Sequence, residues 1–326
     1  MAVYPIDRII ETDVLVIGGG GAACRAAVAA HDAGARVLLA LKGKLGASGA
    51  TTAPGRGVAW QVADECSSPE DSPEVHLANI LDAGLGMANP TLARILAYEL
   101  PERTAEMERW GLRFIPDPEG RKRHYSAYSC FGDQPRAHGI LNSGHGHAGD
   151  IVVVLQKQMA LREILVHENI FVVDLIVHKG ACCGAVALGT DGTTILYRAG
   201  AVVLGAGGAR QIFPSEGRHL IDTTGDGYAM ALRAGAALTN MEFAQYMLRI
   251  DPQGQTLDVP GFIWALYPTV RNNLGEDILP RYLPAGVTPH QAMWERTLHH
   301  PFSCRDASGW LDIAIASEVL AGRGSP

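Results

Sequence analysis

The chain has 326 residues, 47% of them hydrophobic and 19% charged, with a formal net charge of −7. That length and apolar content point to one large or two ordinary globular domains and exclude a disordered chain. The acidic balance argues against a nucleic-acid partner or an anionic membrane surface.

The opening MAVYPIDRIIETD carries neither a basic stretch nor an apolar run of secretory type, so a cytoplasmic location is expected. No run of about 18 apolar residues suggests a membrane span. The first strong signal is DVLVIGGGGAACRAA at 13–27. Val14, Leu15, Val16 and Ile17 read as a strand buried on both faces. Gly18, Gly20 and Ala23 then satisfy G-x-G-x-x-G/A at the start of an alanine-rich helix, and ARVLLA at 35–40 supplies the next strand. In that arrangement the first glycine makes the tight turn and the second lets backbone approach a pyrophosphate. The small third residue packs helix on strand, and the helix N-terminus offers N–H groups to the phosphates. Strand, turn, helix and strand in this order identify a dinucleotide-binding unit.

A glycine-rich loop, GKLGASGATTAPGRGVAW, follows, and then a polar stretch, ECSSPEDSPEVH. A helical insert is expected from about Pro73 to Trp110, with Leu92, Ile95, Leu96 and Leu100 at helical spacing. Residues 116–147 are loop-rich and basic, with RKRH at 121–124 read as a solvated loop, and 151–165 returns to a helical pattern. The period then changes. FVVDLIVHKG, ACCGAVALGTDG and TTILYRAG form a three-stranded meander, AVVLGAGGA a further buried strand ending in glycines, and TGDGYAMALRAGA a turn and helix. From about Leu238 the composition shifts to aromatic, proline-containing segments of a second domain, and ASGWLDIAIASEVLAGRGSP reads as a helix running into a glycine-rich turn. Cysteines at 24, 66, 130, 182, 183 and 304 form no C-x-x-C and lack zinc or iron–sulfur spacing, so reduced, mostly buried thiols are expected.

A glycine-rich strand–turn–helix, an insert, a meander and a second strand ending in Gly-Ala-Gly-Gly is a flavoprotein order; a nicotinamide dehydrogenase continues with further βα units. The stretches VIGGGGAACRAA, LKGKLGASGATTAPGRGV, AVVLGAGGARQIF, TTGDGYAMALRAGAALTNMEFAQY and CRDASGWLDIAIASE span nearly the whole chain. Together they resemble the flavoprotein subunits of the succinate dehydrogenase/fumarate reductase family, which includes L-aspartate oxidase. The resemblance implies an α/β fold. A Rossmann-like FAD-binding domain with β-meander would cover 1–237, with a helical insert at about 67–130, and an α+β capping domain would cover 238–326.

The resemblance also implies FAD. Gly18, Gly20, Gly21, Ala22 and Ala23 would cradle its pyrophosphate, with Lys42 near the cofactor. Ser48, Gly49, Ala50 and Thr51 would run past the isoalloxazine edge, with Gly57 in the same loop. Ala206, Gly207 and Gly208 match a second glycine turn, and Asp226 matches a cofactor-contacting aspartate that doubles as a helix N-cap. Two departures stand out. The second strand ends with Leu41 rather than an acid, so ribose contacts must come from elsewhere. Gly49 stands where covalent members carry histidine, which implies dissociable, non-covalent FAD.

For chemistry, Arg305 in SCRDAS matches the family's proton donor/acceptor, with Asp306 orienting it; an Arg-Asp pair capping the following helix is the alternative. Gln245 and Tyr246 match the substrate segment, but Met247 replaces its histidine, and GFIWALYPTVRNN replaces a Thr-Glu pair. Arg249 and Arg271 are candidate anion contacts, and an apolar or aromatic substrate suits Trp264, Tyr267 and Met247. His145 and His147 form an H-x-H without an evident third ligand, so no metal is expected. His299 and His300 either line the site or end a helix. The resemblance implies an FAD-dependent oxidoreductase moving a hydride between flavin N5 and a small organic substrate. Two other readings are an aspartate oxidase-like amine or amino-acid oxidase and a non-catalytic flavin-binding electron-transfer half of a complex. The expected partners are a small-molecule substrate, a further copy of the chain, and an electron-transfer or completing subunit. Family members carry a C-terminal third that this chain lacks, so a fragment or a chain completed by a second polypeptide is expected.

Overall fold

The computed structural model describes residues 5–52, 59–118, 120, 125–126, 136–141, 149–212, 223–243, 249–250, 257–259, 261–298 and 306–324. In chain order the early elements are β1 (Arg8–Ile17), α1 (Gly21–Asp32), β2 (Val37–Ala40), β3 (Ala59–Gln61), α2 (Pro73–Ala83) and α3 (Pro90–Arg109). Next come β4 (Tyr125–Ser126), β5 (Ala137–Gly139), α4 (Gly149–Leu161), β6 (Leu165–His167), β7 (Ile170–His178), β8 (Ala181–Gly189) and β9 (Thr194–Leu204). The last are α5 (Asp226–Arg233), β10 (Arg249–Ile250), β11 (Leu257–Asp258), α6 (Leu279–Tyr282), α7 (Pro289–Leu298) and α8 (Gly309–Leu320). Two compact units divide the chain. One comprises Met1–Ala59, Ala105–Ile115 and Gly139–Met241, the other Trp60–Thr104, Pro116–His138 and Glu242–Pro326.

The first unit is built on a six-stranded sheet in the order β6–β2–β1–β9–β8–β7. β6, β2, β1 and β9 run parallel, and β8 and β7 add to β9 as an antiparallel meander. Val14 to Ile17 pair with Val37 to Ala40 on one side and with Ala201 to Leu204 on the other. A strand hydrogen-bonded on both edges and covered on both faces needs apolar side chains throughout, and Leu15, Val16 and Ile17 are buried accordingly. Around them Leu38, Ala40, Val172, Ala185, Ala187, Tyr197 and Met230 form one continuous core.

Three local expectations need correction. TTILYRAG and AVVL are one continuous strand, β9, because Arg8 to Ile17 of β1 pair along its whole length and leave no turn between the halves. The segment after α4 ends in a short strand, β6, whose three residues pair with Leu38 to Ala40; three residues are too few to show a period. The helical insert is two helices, broken where Leu85 and Gly86 take positive φ of 48° and 85°. On α3 the expected apolar face is also reversed. Leu92, Ile95 and Leu96 are exposed, while Ala93, Ala97, Thr104 and Met107 are buried. Trp60 donates its indole N–H to Thr104 at 2.8 Å.

In the second unit, Ser72 caps α2 by accepting the Val75 N–H at 3.2 Å, with Pro73 at the first helical position. Asp71 and Asn79 bind the buried guanidinium of Arg136 at 2.8 and 2.7 Å. β3, β5 and β4 form a small three-stranded sheet. A separate core joins Trp264, Ile278, Leu279, Met293 and Leu311. Trp264 is buried within that core, and Tyr267 stacks on His290 with ring centroids 3.7 Å apart.

Candidate functional site

The turn after β1 begins at Gly18, whose φ of +112° is a conformation that a side chain opposes. A Cβ there would also lie 2.2 Å from the carbonyl oxygen of Gly205, so the β1–α1 turn and the turn after β9 touch backbone to backbone. Ala23 sits beneath, and a Cβ on Gly205 would lie 2.8 Å from that of Ala23. α1 starts with Gly20 as its N-cap, no side-chain cap bond and no acidic residue in its first turn. The first N–H groups of a helix lack intrahelical partners, and here they carry the positive end of the helix dipole.

A cavity of about 250 Å³ opens in front of this helix end. Residues 18–22, 41–43, 48–51, 170–172 and 205–208 line it, together with Thr223, Asp226 and Met230. A Cβ on Gly49, Gly207 or Gly208 would meet nothing within 4 Å, so these backbones face open space. Thr51, in a short 3-10 turn, accepts the Gly21 N–H at 3.1 Å, which holds the 48–52 loop over the helix start.

At the far wall Lys42 donates to Asp226 Oδ2 at 2.8 Å and to Thr224 Oγ1 at 2.7 Å, and the Thr224 hydroxyl donates to the same carboxylate oxygen at 2.7 Å. Burial pulls the Asp226 carboxyl upward, but hydrogen bonds from Lys42 and Thr224 outweigh it and hold the pKa below the usual carboxylate value. Asp226 is the first helical residue of α5, and the N-cap is Gly225 in the left-handed region, so the expected N-cap role falls to the glycine. Lys42 Nζ also lies 5.7 Å from the centroid of the Phe171 ring.

The fold thus gathers Gly18, Gly20, Gly21, Ala22, Lys42, Ser48, Gly49, Ala50, Thr51, Ala206, Gly207, Gly208 and Asp226 around one cavity. Phe171, Thr223 and Met230 join them, and Thr224 bonds Lys42 and Asp226 behind them; only strand order and the α5 approach bring these residues there. Gly57, His145, His147, Gln245, Tyr246, Met247, His299, His300 and Arg305 lie outside the described residues. Arg271 pairs with Asp277 in an isolated antiparallel bridge and donates to the Gly275 carbonyl at 2.8 Å. Asp306 accepts the Ser308 N–H at 2.9 Å in a local turn ahead of α8, whose N-cap is Ser308 without a side-chain cap bond. Of the described cysteines only Cys24 is fully buried; Cys66, Cys182 and Cys183 are half-buried, contrary to the expectation of mostly buried thiols. A second, shallower concavity of about 460 Å³ lies at Glu11, Arg36, Cys183 and Arg198. Its charges are already matched, Arg36 to Asp13 at 2.7 Å and Arg198 to Glu11 at 2.9 Å. Among the described residues no helix is long and apolar enough to cross a membrane.

A glycine-rich helix start without an N-cap side chain, open glycine backbones in the same cavity and a carboxylate beside the second strand suit an extended dinucleotide with a central pyrophosphate. Comparison with known proteins agrees. Residues 13–282 match the FAD binding domain family. The chain is 28% identical over 327 residues to a fumarate reductase (CoM/CoB) subunit of Methanothermobacter marburgensis, covering 98% of this chain and 54% of that protein. It is 31% identical over 257 residues to L-aspartate oxidase of Streptomyces coelicolor, covering 76% of this chain and 42% of that protein. Among solved structures, Mycobacterium smegmatis Sdh1 in complex with UQ1 superposes with a TM-score of 0.77 at 28% identity, over 98% of this chain and 51% of that one. The chain spans about half the length of the curated relatives it matches. It belongs to the FAD-binding flavoprotein family that includes the fumarate reductase flavoprotein subunits and L-aspartate oxidase, and FAD is its cofactor.

Proposed function

We propose that this chain is the flavin-holding part of an FAD-dependent oxidoreductase that moves a hydride to or from a small organic substrate. The observation that carries the proposal is the glycine-rich start of α1, whose N-cap Gly20 offers no side chain, lining one cavity with the open backbones of Gly207 and Gly208. In this reading Gly20, Gly21, Ala22 and Ala23 hold the pyrophosphate through backbone N–H groups. Lys42 and Asp226 face the adenosine end. Ser48, Gly49, Ala50 and Thr51 run along the isoalloxazine, with Gly57 further along the same loop and Ala206, Gly207 and Gly208 opposite. Bound FAD supplies hydride transfer at its N5 atom. Gly49 offers no nucleophile, so the flavin is held without a covalent bond and dissociates.

Arg305 is the proposed proton donor and acceptor. Arginine has a pKa above about 12, so it donates only to a carbon made strongly basic by the arriving hydride and held against it. Gln245, Tyr246, Met247 and Arg271 are the proposed substrate contacts. Residues 1–237 serve as the FAD-binding domain, with an insert at about 67–130, and 238–326 serve as a capping domain. A cytoplasmic location is part of the same reading.

Purified chain incubated with FAD and desalted is expected to stay yellow, to bleach with dithionite and to regain colour when a suitable unsaturated acid is added. Arg305→Lys is expected to keep the flavin and to slow that reoxidation by about a hundredfold or more. Failure to retain any FAD overturns the proposal. Equal reoxidation in the variant removes Arg305 from it. A second reading, a flavin-binding half that works only with a completing or electron-transfer subunit, is favoured by the relatives' length and by the names of relatives that are themselves subunits. It predicts retained flavin but reoxidation only after a partner subunit is supplied.

A further inference from the structure

The strand β9 is paired along only part of its outer side. Ile195 to Leu204 lie against β1, but only Thr194 to Arg198 bond β8 on the other flank. β8 leaves at a bulge: Gly184 faces Ile176 and Cys182 faces Val177, so Cys183 is an extra residue that bends the strand away. The Gly205 N–H donates to the Ile17 carbonyl, which fixes the two hydrogen-bonding sides of β9. Odd-numbered residues bond β1, and even-numbered residues face away from it. Beyond Arg198, the N–H and C=O groups of Gly200, Val202 and Leu204 therefore point to a side where no strand lies among the described residues. Burial agrees. Leu15, Val16 and Ile17, flanked by strands on both sides, are at most 4% exposed, whereas Val202, Val203 and Leu204 beside them are only half-buried. The concavity of about 460 Å³ lies at this fork, where Ile176, Cys183, Leu196, Ala199 and Gly200 line it.

We infer that the outer edge of β9 from Gly200 to Leu204, with the crevice beside it, is the attachment site for one extended, uncharged strand of a second polypeptide. The inference rests on the reading in which a completing subunit is needed, and it names where that subunit binds. Backbone chemistry selects the kind of occupant. Three residues offering N–H and C=O groups in line, over about 13 Å, are complemented by another strand and not by a helix. Side-chain chemistry selects its character. Val202 and Leu204 pack on the apolar core of the sheet, so residues laid next to them on that face are apolar. At the crevice Arg36 is held by Asp13 at 2.7 Å and Arg198 by Glu11 at 2.9 Å, so these cations call for no charged occupant. The relatives' length points to the source of the strand. The Methanothermobacter marburgensis subunit matches 98% of this chain with 54% of its own residues, so it carries nearly as much polypeptide again. An apolar edge left open beside a parallel sheet also invites aggregation, which an added strand removes.

Amide-resolved hydrogen exchange on the full chain, with FAD added, tests the inference. In dilute protein the Val202 and Leu204 amides are expected to exchange at least about a hundredfold faster than those of Ala201 and Val203, which bond β1. The probe is the capped hexapeptide acetyl-Thr-Val-Thr-Val-Thr-Val-amide. At about 1 mM it is expected to slow exchange at 202 and 204 by about tenfold or more. Val202→Pro removes the outward N–H and leaves the bonds to β1, so it is expected to keep the fold and weaken peptide binding by about tenfold or more. Cys183→Glu places a charge in the crevice and is expected to weaken it likewise, which decides the matter if the proline variant does not fold. Slow exchange at 202 and 204 in the dilute chain alone assigns the edge to this chain's own residues. Protection that rises with chain concentration assigns it to a second copy. Either result overturns the inference, as does a peptide that slows neither amide or that binds both folded variants as tightly as the unmodified chain. Loss of FAD on desalting with peptide uptake intact removes the flavin reading and leaves the edge assignment standing.

Discussion

Gly18 and Gly205 lie 187 residues apart in sequence yet meet backbone to backbone: a Cβ on Gly18 would lie 2.2 Å from the Gly205 carbonyl oxygen, and beside it the Gly205 N–H donates to the Ile17 carbonyl at 2.8 Å. Each turn therefore sets the position of the other. Gly18→Ala combines a disfavoured positive φ with a backbone collision that neighbouring atoms cannot relieve. It is expected to destabilise the folded chain by about 3 kcal/mol. A urea midpoint equal to that of the unmodified protein contradicts this account.

Gly20 separates fold from ligand. A Cβ there would meet only the Thr51 hydroxyl at 3.5 Å, an ordinary contact. Gly20→Ala is thus expected to unfold at the same urea concentration as the unmodified chain while weakening FAD binding by about tenfold or more, because the methyl occupies the space the pyrophosphate needs. Retention of full FAD affinity would move the phosphate site away from α1.

His76 sets a pH dependence. Burial, aided by the Arg136 charge, pushes its imidazole down to about 4. Among the described residues its buried Nδ1 has no hydrogen-bond partner. The native state therefore favours neutral His76, and the stabilisation is complete above the ordinary histidine value of about 6.5. Between about 6.5 and 4 the unfolded chain takes up a proton that the folded chain refuses, so stability falls as pH drops, by at most about 3 kcal/mol. Replacing the ring by Phe is expected to flatten the urea midpoint across that window. An equally steep pH profile in His76→Phe assigns the dependence to another group.

Cys24 packs at the start of α1 with its Sγ 3.5 Å from the Gly19 carbonyl, and burial pushes its thiol pKa up to about 11. A thiolate is the reactive form, so Cys24 is expected to resist iodoacetamide at pH 8 while half-buried Cys66, Cys182 and Cys183 react. Peptide mass spectrometry reads the order directly; early alkylation of Cys24 would mean that α1 opens far more readily than its packing allows.

Local pattern carried the parts of the molecule whose cause is local. VLVI followed by GGGGAA states a buried strand, a turn and a helix within about a dozen residues, and β1, the uncapped α1 and β2 all appear where that pattern places them. The first two strands of the meander are equally legible, because turn residues bound them, whereas the third runs on into AVVL as one strand. The pattern failed on α3, where leucine and isoleucine at helical spacing face outward and alanines face inward. Periodicity reports that an apolar face exists, but the size of the gap to be filled decides which face is buried.

The chain's own order of residues determined that a glycine-rich strand–turn–helix would form at the first βα unit and that a second glycine turn would follow the meander. Only the tertiary structure decided that the two turns share one contact and that Lys42 is neutralised by Asp226, 184 positions away. The reason is physical. A strand–turn–helix is specified by neighbours in sequence, whereas the pairing of two charges depends on which strand lies beside which and where α5 starts, and that is set by the packing of the whole sheet.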